Sequence, residues 1–379
     1  MMTTSGSLPT TMRAAVCRED GHLVLEDLPV PQPQRDEVLV RVTACGVCHS
    51  DLHALDGHIA FPRPAVLGHE ISGTVAALGP GVEQDGLVGG QPVVGAFLMP
   101  CGRCRYCVQG RDDLCEEFFA RNRLGGQLFD GTSRLRTTAG ETVAMYSMGG
   151  LAEYAVVPAT AVAPVPEGVD LAPAAVLGCA GLTAYGAVRR AADLHPGESV
   201  AVVAVGGVGS NVVQLARAFG ASEVVAVDVD ADKLAAASRM GATVTVDSRD
   251  PDAREQVLAA TGGRGVDVAF EVLGRPETFE LALQLLAPGG RMVPVGLGRA
   301  GQDAPVEINL MVRRSLRIIA NYGARTRTDL PAVVDLADRG VLRYRDVVTR
   351  TFDLADVDAA YAALRAGEIT GRAVVTMGA

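Results

Sequence analysis

The stretch Ser199-Val-Ala-Val-Val-Ala-Val-Gly-Gly-Val-Gly209 decides the fold. Its first seven residues are small or β-branched and predict a buried strand, the glycines predict a tight turn, and Asn211–Phe219 predicts a helix. A second strand is expected at Val224–Val227 and ends in Asp228, 19 residues after the last glycine of the turn. Strand and helix patterns continue to alternate downstream, which predicts a doubly wound parallel sheet of the α/β class.

The glycine-rich turn predicts a dinucleotide site. Backbone N–H groups at such a turn, and at the N-terminus of the helix after it, favour a pyrophosphate. Gly206, Gly207 and Gly209 fit this arrangement, and Asp228 stands where an acidic residue accepts hydrogen bonds from a ribose. The alternative is that Asp228 only caps the next helix. Ala204 replaces the usual first glycine, and its methyl group is expected to crowd the turn slightly.

The rest of the chain divides by pattern. Short β-runs broken by Gly and Pro predict a mainly β region before the helical segment Leu171–Arg190. Its expected strands are Arg13–Cys17, Val38–Ala44, Ile71–Leu78, Val93–Met99 and Ala152–Val157. The alternating region is expected to continue with strands Val266–Val272 and Arg291–Leu297 and helices Asp230–Met240, Asp252–Thr261 and Glu277–Leu286. The chain is expected to end with helices Asp329–Arg339 and Ala355–Ala366 and strand Arg372–Met377.

The composition is that of a globular chain of two or three domains. Of the 379 residues, 48% are hydrophobic and 21% charged, which argues against extensive disorder. The net charge of −10 and a pI near 5.2 disfavour nucleic acid or an anionic membrane as a partner. Charge-free stretches such as Leu171–Val188 are interrupted by Gly, Pro or polar residues and predict no membrane span. Met1–Thr11 lacks an apolar signal core, so a loose tail and a cytoplasmic protein are expected.

A second stretch, Ala44-Cys-Gly-Val-Cys-His-Ser-Asp-Leu-His53, carries candidate chemistry. The strand before it is expected to end at Ala44, with Gly46 allowing a sharp turn. Further on, Gly68-His69-Glu70 again places an imidazole and a carboxylate after a glycine. Soft sulfur, imidazole and nearby carboxylates are what zinc selects. We therefore predict that Cys48 and His69 hold a catalytic zinc, with a third ligand elsewhere in the chain.

A dense cysteine cluster follows at Cys101, Cys104, Cys107 and Cys115. Four thiolates at this spacing close a tetrahedron around one zinc and leave no open position for water, so a structural site is expected, in a lobe at about 97–118. The alternative is four unrelated free cysteines. In a reducing compartment such a cluster is typical of a metal site rather than of disulfides.

The segment Glu116–Gly150 is irregular and rich in Gly, Thr and Arg. It is either a lid over a pocket or a solvated surface loop, and the pattern does not separate the two. Cys179 stands alone among apolar residues, and by spacing alone it is expected to be an inert core residue. Cys45 is an extra thiol next to Cys48, for which the two alternatives are a packed small residue and an oxidation liability.

Together these motifs resemble the zinc-dependent alcohol dehydrogenases of the medium-chain dehydrogenase/reductase superfamily, over nearly the whole chain. The resemblance rests on the stretches around Cys48 and His69, the four-cysteine lobe, Gly178-Cys179, the glycine turn with Asp228, and Gly371-Arg372. It implies a GroES-like, mainly β catalytic domain at 1–170 and 320–379. A Rossmann dinucleotide-binding domain is implied at 171–319.

The family pattern also implies roles for individual residues. The catalytic zinc would be held by Cys48, His69 and Cys179, with Asp51 orienting His69. Glu70 would lie beside the metal, either as a partner of its ligands or as a transient ligand. Ser50 and His53 match the proton relay of the family. The implied cofactor contacts are Gly206, Gly207, Val208 and Gly209 in the turn, Thr183 and Val295 with Val208 at the nicotinamide, His49 and Arg372 at the pyrophosphate, Asp228 and Lys233 at the adenosine ribose, and Val272.

The implied activity is hydride transfer between an alcohol and NAD(H), with zinc as the Lewis acid. Ser50 would accept the alcohol proton and pass it through the cofactor ribose and His53 to solvent. NAD should be preferred over NADP, because Asp230 and Asp232 follow Asp228 and would repel a 2′-phosphate. A small alcohol or carbonyl substrate and a homodimer or homotetramer are expected.

Three alternatives stay open at this point. The first is a zinc reductase of the same fold that acts on a hydroxyacyl thioester, an enal or an iminium. The second is a lyase or dismutase that keeps NAD bound through each turnover. The third is a non-catalytic binding protein on this fold, which the complete set of ligands and relay groups disfavours.

Overall fold

The computed structural model describes residues 8–82, 86–299 and 301–378, which form two compact units. The first unit comprises the described residues up to Cys179, Arg325–Asp338, and the described residues from Tyr344 onward. The second comprises Ala180–Ala324 and Arg339–Arg343. Of the predicted tail, residues 1–7 lie outside the described part of the chain.

The first unit is built on two β-sheets. Its strands are β1 (Thr11–Cys17), β2 (Leu23–Pro29), β3 (Glu37–Val47), β4 (Ala65–Val66), β5 (Ile71–Leu78), β6 (Pro92–Gly95), β7 (Leu135–Arg136), β8 (Thr142–Met145), β9 (Tyr154–Pro158), β10 (Val162–Pro164), β17 (Val348–Asp353) and β18 (Arg372–Thr376). One sheet has the order β2-β1-β4-β8-β7 and the other β10-β6-β5-β3-β18-β17, with β9 also paired to β3. The α-helices of this unit are α1 (His49–Leu55), α2 (Arg105–Val108), α3 (Leu171–Ala174), α10 (Thr326–Asp338), α11 (Tyr344–Val347) and α12 (Val357–Arg365).

The second unit is a six-stranded parallel sheet with the order β13-β12-β11-β14-β15-β16. Its strands are β11 (Ser199–Val203), β12 (Glu223–Asp228), β13 (Val244–Asp247), β14 (Val266–Glu271), β15 (Leu286–Pro294) and β16 (Arg317–Ile318). Its helices are α4 (Ala180–Tyr185), α5 (Gly207–Ala218), α6 (Ala231–Arg239), α7 (Ala253–Ala260), α8 (Pro276–Gln284) and α9 (Ile308–Arg313). The strand order is that of a doubly wound dinucleotide-binding sheet, which confirms the predicted fold class.

The glycine turn lies where the order of the strands in this parallel sheet reverses. β11 has β12 on one side and β14 on the other, so ligands are expected at its carboxyl end. β11 ends at Val203, two residues earlier than expected, because Ala204 has φ +73° and leaves the extended conformation. The methyl group of Ala204 therefore stands at a position whose backbone favours glycine.

The sharp turn expected at Gly46 was wrong, because β3 continues to Val47 without a break. The glycine is needed there for a different reason. A Cβ atom on Gly46 would lie 2.1 Å from Oε2 of Glu70, and the Gly46 N–H donates to the Glu70 carbonyl at 2.7 Å. Gly46 therefore makes room for a buried carboxylate.

The division between the units differs from the predicted boundaries. Residues 171–179 belong to the first unit, where Ser72 on β5 donates its hydroxyl to the carbonyl of Leu171. Residues 320–324 belong to the second, where the Asn321 amide donates to the Thr183 carbonyl at 3.2 Å. Arg339–Arg343, which were predicted in the catalytic domain, also belong to the second unit. The observed boundaries therefore differ from the predicted ones by several residues.

No single helix in the described ranges is long and apolar enough to cross a membrane. One bent pair of short helices, Leu171–Gly178 with Ala180–Ala191, together has the length and apolar composition of a membrane span.

Candidate active site

Four metal-ligating side chains converge in the first unit. The ligand atoms of Cys48, His69, Glu70 and Cys179 all lie within 4.8 Å of one another, and all four residues are buried. Three separate segments supply them: the junction of β3 and α1, the loop between β4 and β5, and the residue before α4. Each of these residues was predicted from the sequence, Cys179 through the family resemblance.

A backbone feature places each ligand. Cys48 is extended at the N-cap of α1, with φ −124° and ψ 148°. Gly68 has φ +92°, and a Cβ there would lie 2.7 Å from Sγ of Cys45, so glycine is required just before His69. Cys179 has φ −130° and ψ −67°, which interrupts the helical path between a 3₁₀ turn and α4.

Asp51 holds the imidazole of His69 in place. Its Oδ1 lies 3.1 Å from His69 Nδ1 and accepts the N–H of Gly68 at 3.2 Å. A carboxylate only accepts here, so Nδ1 carries the proton and Nε2 is the nitrogen available to a metal. The two side chains are 0% and 3% exposed, so water does not compete for this contact.

A hydrogen bond joins the two sulfurs of the cluster. A hydrogen bond with Cys179 holds the pKa of Cys48 well below its ordinary value, and it raises the pKa of Cys179 well above. Burial works against the Cys48 thiolate, while the positive charge of Arg372 supports it. A thiolate, a thiol that a dication can deprotonate and an imidazole form a soft donor set, which fits zinc.

Glu70 adds a carboxylate that has no hydrogen bond of its own. Both of its side-chain oxygens are buried without a hydrogen-bond partner, although Arg372 Nη2 lies 3.3 Å from Oε1. Burial raises the pKa of Glu70 to about 7, and the charge of Arg372 opposes the rise. Two orphaned oxygens beside a sulfur and nitrogen donor set are a further sign that a cation fits this site.

The second cluster has the geometry of a closed site. The Sγ atoms of Cys101, Cys104, Cys107 and Cys115 lie within 4.8 Å of one another. Backbone N–H groups point at the sulfurs: Cys101 donates to Cys115 at 3.3 Å, and Cys104 donates to Cys101 at 3.3 Å. Burial opposes the ionisation of Cys104, yet N–H groups of Cys107 and Glu116 bring its pKa to about 7. Burial raises the pKa values of Cys107 and Cys115, so of these three thiols Cys104 alone is close to ionisation without a cation. Four sulfurs in this arrangement fit a structural zinc.

The two predicted relay residues lie on α1, three positions apart. Ser50 accepts the Tyr146 hydroxyl at 3.1 Å through its backbone carbonyl. His53 is half-buried, and its ring centroid lies 5.7 Å from that of His58. Burial lowers the pKa of His53, and the charges of His58 and Arg123 lower it further. A neutral imidazole is therefore favoured at the position predicted to receive a proton.

Asp228 anchors the glycine turn of the second unit. Its carboxylate accepts the N–H of Val205 at 2.8 Å, of Val229 at 2.8 Å and of Asp230 at 3.1 Å. The N-cap of α6 is Asp230, whose side chain accepts from the next turn, so the alternative role of Asp228 as a helix cap was wrong. Gly206 is the N-cap of α5, and a Cβ on Gly209 would lie 2.1 Å from the Ala204 carbonyl oxygen.

The other predicted cofactor residues are divided between the two units. In the second unit, Gly207 and Val208 begin α5, and Thr183 lies buried in α4. Lys233 lies on α6, with its Nζ 4.0 Å from the carboxylate of Asp230. Val272 directly follows β14, and Val295 directly follows β15. In the first unit, His49 begins α1 and Arg372 begins β18.

The buried Glu271 was not predicted from the sequence. Its Oε1 accepts the N–H of Leu273 at 2.9 Å and of Gly274 at 2.8 Å, which fixes the loop after β14.

Comparisons with known proteins agree with this geometry. The profile of the family described as "Alcohol dehydrogenase GroES-like domain" matches residues 34–167, and that of "Zinc-binding dehydrogenase" matches residues 207–339. An S-(hydroxymethyl)glutathione dehydrogenase of Synechocystis is 34% identical over 361 residues, 94% of this chain and 97% of that one. The chain belongs to the zinc-dependent alcohol dehydrogenases.

Solved structures of two relatives superimpose on this alcohol dehydrogenase. Benzyl alcohol dehydrogenase of Acinetobacter calcoaceticus is 30% identical with a TM-score of 0.90, over 98% of this chain and 100% of the other. Acetophenone reductase of Geotrichum candidum, solved in complex with NAD, is 32% identical with a TM-score of 0.81, over 98% of each chain. The enzyme therefore has the two-domain GroES-like and Rossmann fold of this family.

In this dehydrogenase the arginine-rich segment is fastened to the first unit. Arg134 forms an ion pair with Glu37 at 2.6 Å, and both side chains are at least nine-tenths buried. Arg121 pairs with Glu117 at 2.5 Å, and Arg123 stacks 4.4 Å above the ring of Tyr146. Arg134 thus has a structural partner on β3.

Two tyrosines near the ligands were missed by sequence reasoning. The ring of Tyr146 lies edge-on to that of His69, with centroids 6.0 Å apart, and the hydroxyl of Tyr361 lies 3.0 Å from Oδ2 of Asp51. Neither residue belongs to a motif, and no local pattern distinguishes them from ordinary core tyrosines. Cys45 is fully buried beside the cluster, as expected of a packed small residue.

Proposed function

We propose that this chain interconverts an alcohol and its aldehyde or ketone with zinc and NAD(H). The observation that carries the proposal is the buried set of Cys48, His69 and Cys179, with Asp51 behind the imidazole and Glu70 beside it. Three protein ligands and one remaining position are the pattern of a catalytic rather than a structural zinc. When bound, zinc supplies a Lewis acid for the substrate oxygen, and the nicotinamide supplies or accepts the hydride.

The residues around the donor set would manage charge and protons. Asp51 fixes the tautomer of His69, and Arg372 offsets the negative charge that the sulfurs and Glu70 bring into a buried site. Ser50 would hold the hydroxyl proton at Oγ, and His53 would exchange it with solvent at its ring. His53 suits this role because its lowered pKa keeps a free nitrogen lone pair near neutral pH.

The second unit would hold NAD(H) at the carboxyl ends of β11 and β12. The N-terminus of α5 offers N–H groups to a pyrophosphate, and Asp228 offers oxygen acceptors to the adenosine ribose. The domain roles we propose follow from this: a catalytic first unit and a dinucleotide-binding second unit. Val208, Thr183, Val272 and Val295 are the proposed apolar or small neighbours of the nicotinamide half.

The substrate is proposed only as a class, a small primary or secondary alcohol or its carbonyl partner. The names of the three relatives describe a glutathione adduct, benzyl alcohol and acetophenone, so the fold accepts very different groups beside the reacting carbon. The glutathione adduct gives one specific reason to retain a thioether- or thioester-linked hydroxy compound as a second candidate.

A substrate panel tests this proposal. The zinc-loaded protein is mixed with NAD and, in turn, benzyl alcohol, an aliphatic primary alcohol, a secondary alcohol and formaldehyde with glutathione, and NADH formation is followed by its absorbance. Aldehydes and ketones with NADH test the reverse direction. At least one pair should turn over, and the Cys48→Ala variant should not support it. Turnover of no pair by protein that holds two zinc ions would contradict the proposal.

We also propose a homo-oligomer that works in the cytoplasm. In the second unit, Ile308 and Val312 on α9 are 78% and 72% exposed, and the outermost strand β16 presents Ile318. Exposed apolar residues beside an open sheet edge favour pairing with a second copy. Thiolate ligands favour a reducing compartment. Light scattering should give a dimer or tetramer, and Ile308→Asp should shift it toward the monomer; a monomeric wild type would refute the assembly.

A further inference from the structure

A buried tyrosine lies behind the carboxylate that orients His69. The hydroxyl of Tyr361, on α12, donates to Oδ2 of Asp51 at 3.0 Å. Tyr361 is 2% exposed and Asp51 is fully buried. The contacts therefore form a continuous chain across the first unit, from Tyr361 through Asp51 and His69 to the sulfur ligands.

The two oxygens of Asp51 have different partners. Oδ1 faces His69 Nδ1 and the Gly68 N–H, whereas Oδ2 receives the Tyr361 hydroxyl. Because each oxygen is engaged, the carboxylate has one orientation, and that orientation sets the plane of the imidazole. Burial and the charge of Asp51 hold the pKa of Tyr361 well above its ordinary range, so the phenol remains a hydrogen-bond donor.

We propose that Tyr361 is a positioning residue for the catalytic metal site, which acts by fixing Asp51 and through it the ligand nitrogen of His69. Loss of the hydroxyl leaves Oδ2 buried without its donor, which is costly for a carboxylate. The side chain of Asp51 is then held through Oδ1 alone, so it can turn, and this weakens its hold on Nδ1. Outer partners of metal-bound histidines commonly contribute 10- to 100-fold in metal affinity or activity.

A cavity of about 410 Å³ lies between α5 and α6 and is lined by Arg217, Arg239 and Arg343. Three guanidinium groups would favour an anion there. Two of these guanidinium groups already donate to backbone carbonyls: Arg217 to Ala221, and Arg343 to Arg239. Those contacts give the arginines a structural role, and the geometry points to Tyr361 instead.

The inference rests on the proposed metal site, and the test uses the zinc-loaded protein. A chelator is added, and the release of zinc is followed with a coloured indicator in the wild type, Tyr361→Phe and Tyr344→Phe. Tyr344 is a matched control, since it is buried in the same unit and its hydroxyl accepts the Asp170 N–H at 3.0 Å, away from the ligands. Tyr361→Phe should release one of its two zinc ions about 10-fold faster, with the other unchanged. Tyr344→Phe should match the wild type.

Two further readouts separate positioning from a loss of stability. With cobalt in place of the catalytic zinc, the visible absorption bands should shift in Tyr361→Phe but not in Tyr344→Phe. In an Asp51→Asn background, Tyr361→Phe should have little additional effect, because the acceptor it orients is already altered. Equal release rates in the wild type and Tyr361→Phe, or full additivity with Asp51→Asn, would overturn the inference. A wild type that binds a single zinc ion would instead contradict the proposed function itself.

Discussion

His53 is the residue whose ionisation should limit activity at low pH. Burial lowers its pKa first, and His58 and Arg123 lower it further, while Cys48 and Asp56 act in the opposite direction. The neutral ring can receive a proton and the protonated ring cannot. Activity should therefore be complete above the pKa of His53 and fall as the pH drops through it.

The first prediction is that the acid limb of kcat lies below pH 6.5, the ordinary histidine value. His58→Gln removes one of the groups that lower the pKa of His53, so the limb should move to higher pH. The pH dependence of kcat measures both. His195→Gln, a change to an exposed histidine of the second unit, is the control and should leave the profile in place. An acid limb at or above pH 6.5, or one that does not move in His58→Gln, would count against a relay through His53.

Single residues of the site were predictable where a ligand type is rare. Cys48 and His69 were readable because sulfur and imidazole stand beside glycines at short spacing. Tyr361 was not readable, because it lies 310 positions from Asp51 and only the packing of α12 against α1 brings the two together. The role of Gly46 was misread for a similar reason: its neighbour Glu70 belongs to another segment.

At the scale of elements, α10 fastens the four-cysteine lobe to the first unit. Arg327, near its start, contacts Asp112 with Nη2 2.7 Å and Nε 3.0 Å from Oδ1, and it also donates to the Cys107 carbonyl. The Asp112 side chain is only 2% exposed, whereas that of Arg327 is 36% exposed. The buried carboxylate of Asp112 therefore depends on Arg327, whose backbone N–H also donates to Oδ2 at 3.0 Å.

The second prediction is that Arg327→Met destabilises the first unit by about 2 kcal/mol, since a buried carboxylate loses two charge-assisted hydrogen bonds. The structural zinc should also leave faster when a chelator is added. Urea unfolding and zinc release measure the two effects. Arg249→Met breaks a comparable pair with Asp247 on the exposed surface and should change neither. Equal effects of the two substitutions would show that the buried contact has no special role.

The third prediction concerns the turn between β11 and α5 and its acceptor at the end of β12. The wild type should prefer NAD, because a 2′-phosphate near Asp228 would bring about −1.5 to −2 charges against the carboxylate. Asp228→Gly should raise the ratio of kcat/KM for NADP to that for NAD about tenfold or more. It should also weaken NAD use, since three backbone N–H groups lose their acceptor.

The control for this prediction is Asp267→Asn. Asp267 also accepts a backbone N–H, that of Ser199 at 2.8 Å, but it lies near the opposite end of the parallel strands. The cofactor ratio should stay at the wild-type value in this variant. Comparable specificity constants for NAD and NADP in the wild type would contradict the role assigned to Asp228.

Elements were predictable where the hydrophobic period is unambiguous. The buried valine runs of β11, β12 and β14 gave clear strands, and the helices between them were found close to their observed bounds. β2 and β17 were missed because their apolar residues are mixed with charged or polar ones and most of each strand is exposed. β13 was missed because it has only four residues, two of them polar. α9 has no buried residue and an exposed apolar face, so no amphipathic pattern indicated it.

At the scale of the whole molecule, the resemblance to the family covered nearly the whole chain, which made the two-domain fold predictable. Unit boundaries were less predictable, because residues 171–179 and 320–324 join their units through contacts with distant segments. The net charge disfavoured nucleic acid and anionic membranes as partners, but the composition did not indicate the substrate.

The central claim is that one chain holds two zinc ions with separate tasks, a catalytic ion at Cys48, His69 and Cys179 and a structural ion in the four-cysteine lobe. Metal analysis combined with NADH formation tests it in the wild type, Cys48→Ala and the buried-cysteine control Cys17→Ala, since Cys17 lies on β1 outside both clusters. The wild type and Cys17→Ala should hold two zinc ions per chain and oxidise the alcohol. Cys48→Ala should keep one zinc ion and its fold but lose activity, because two ligands hold the metal poorly. A Cys48→Ala protein that retains two zinc ions and turns over at the wild-type rate would contradict the account.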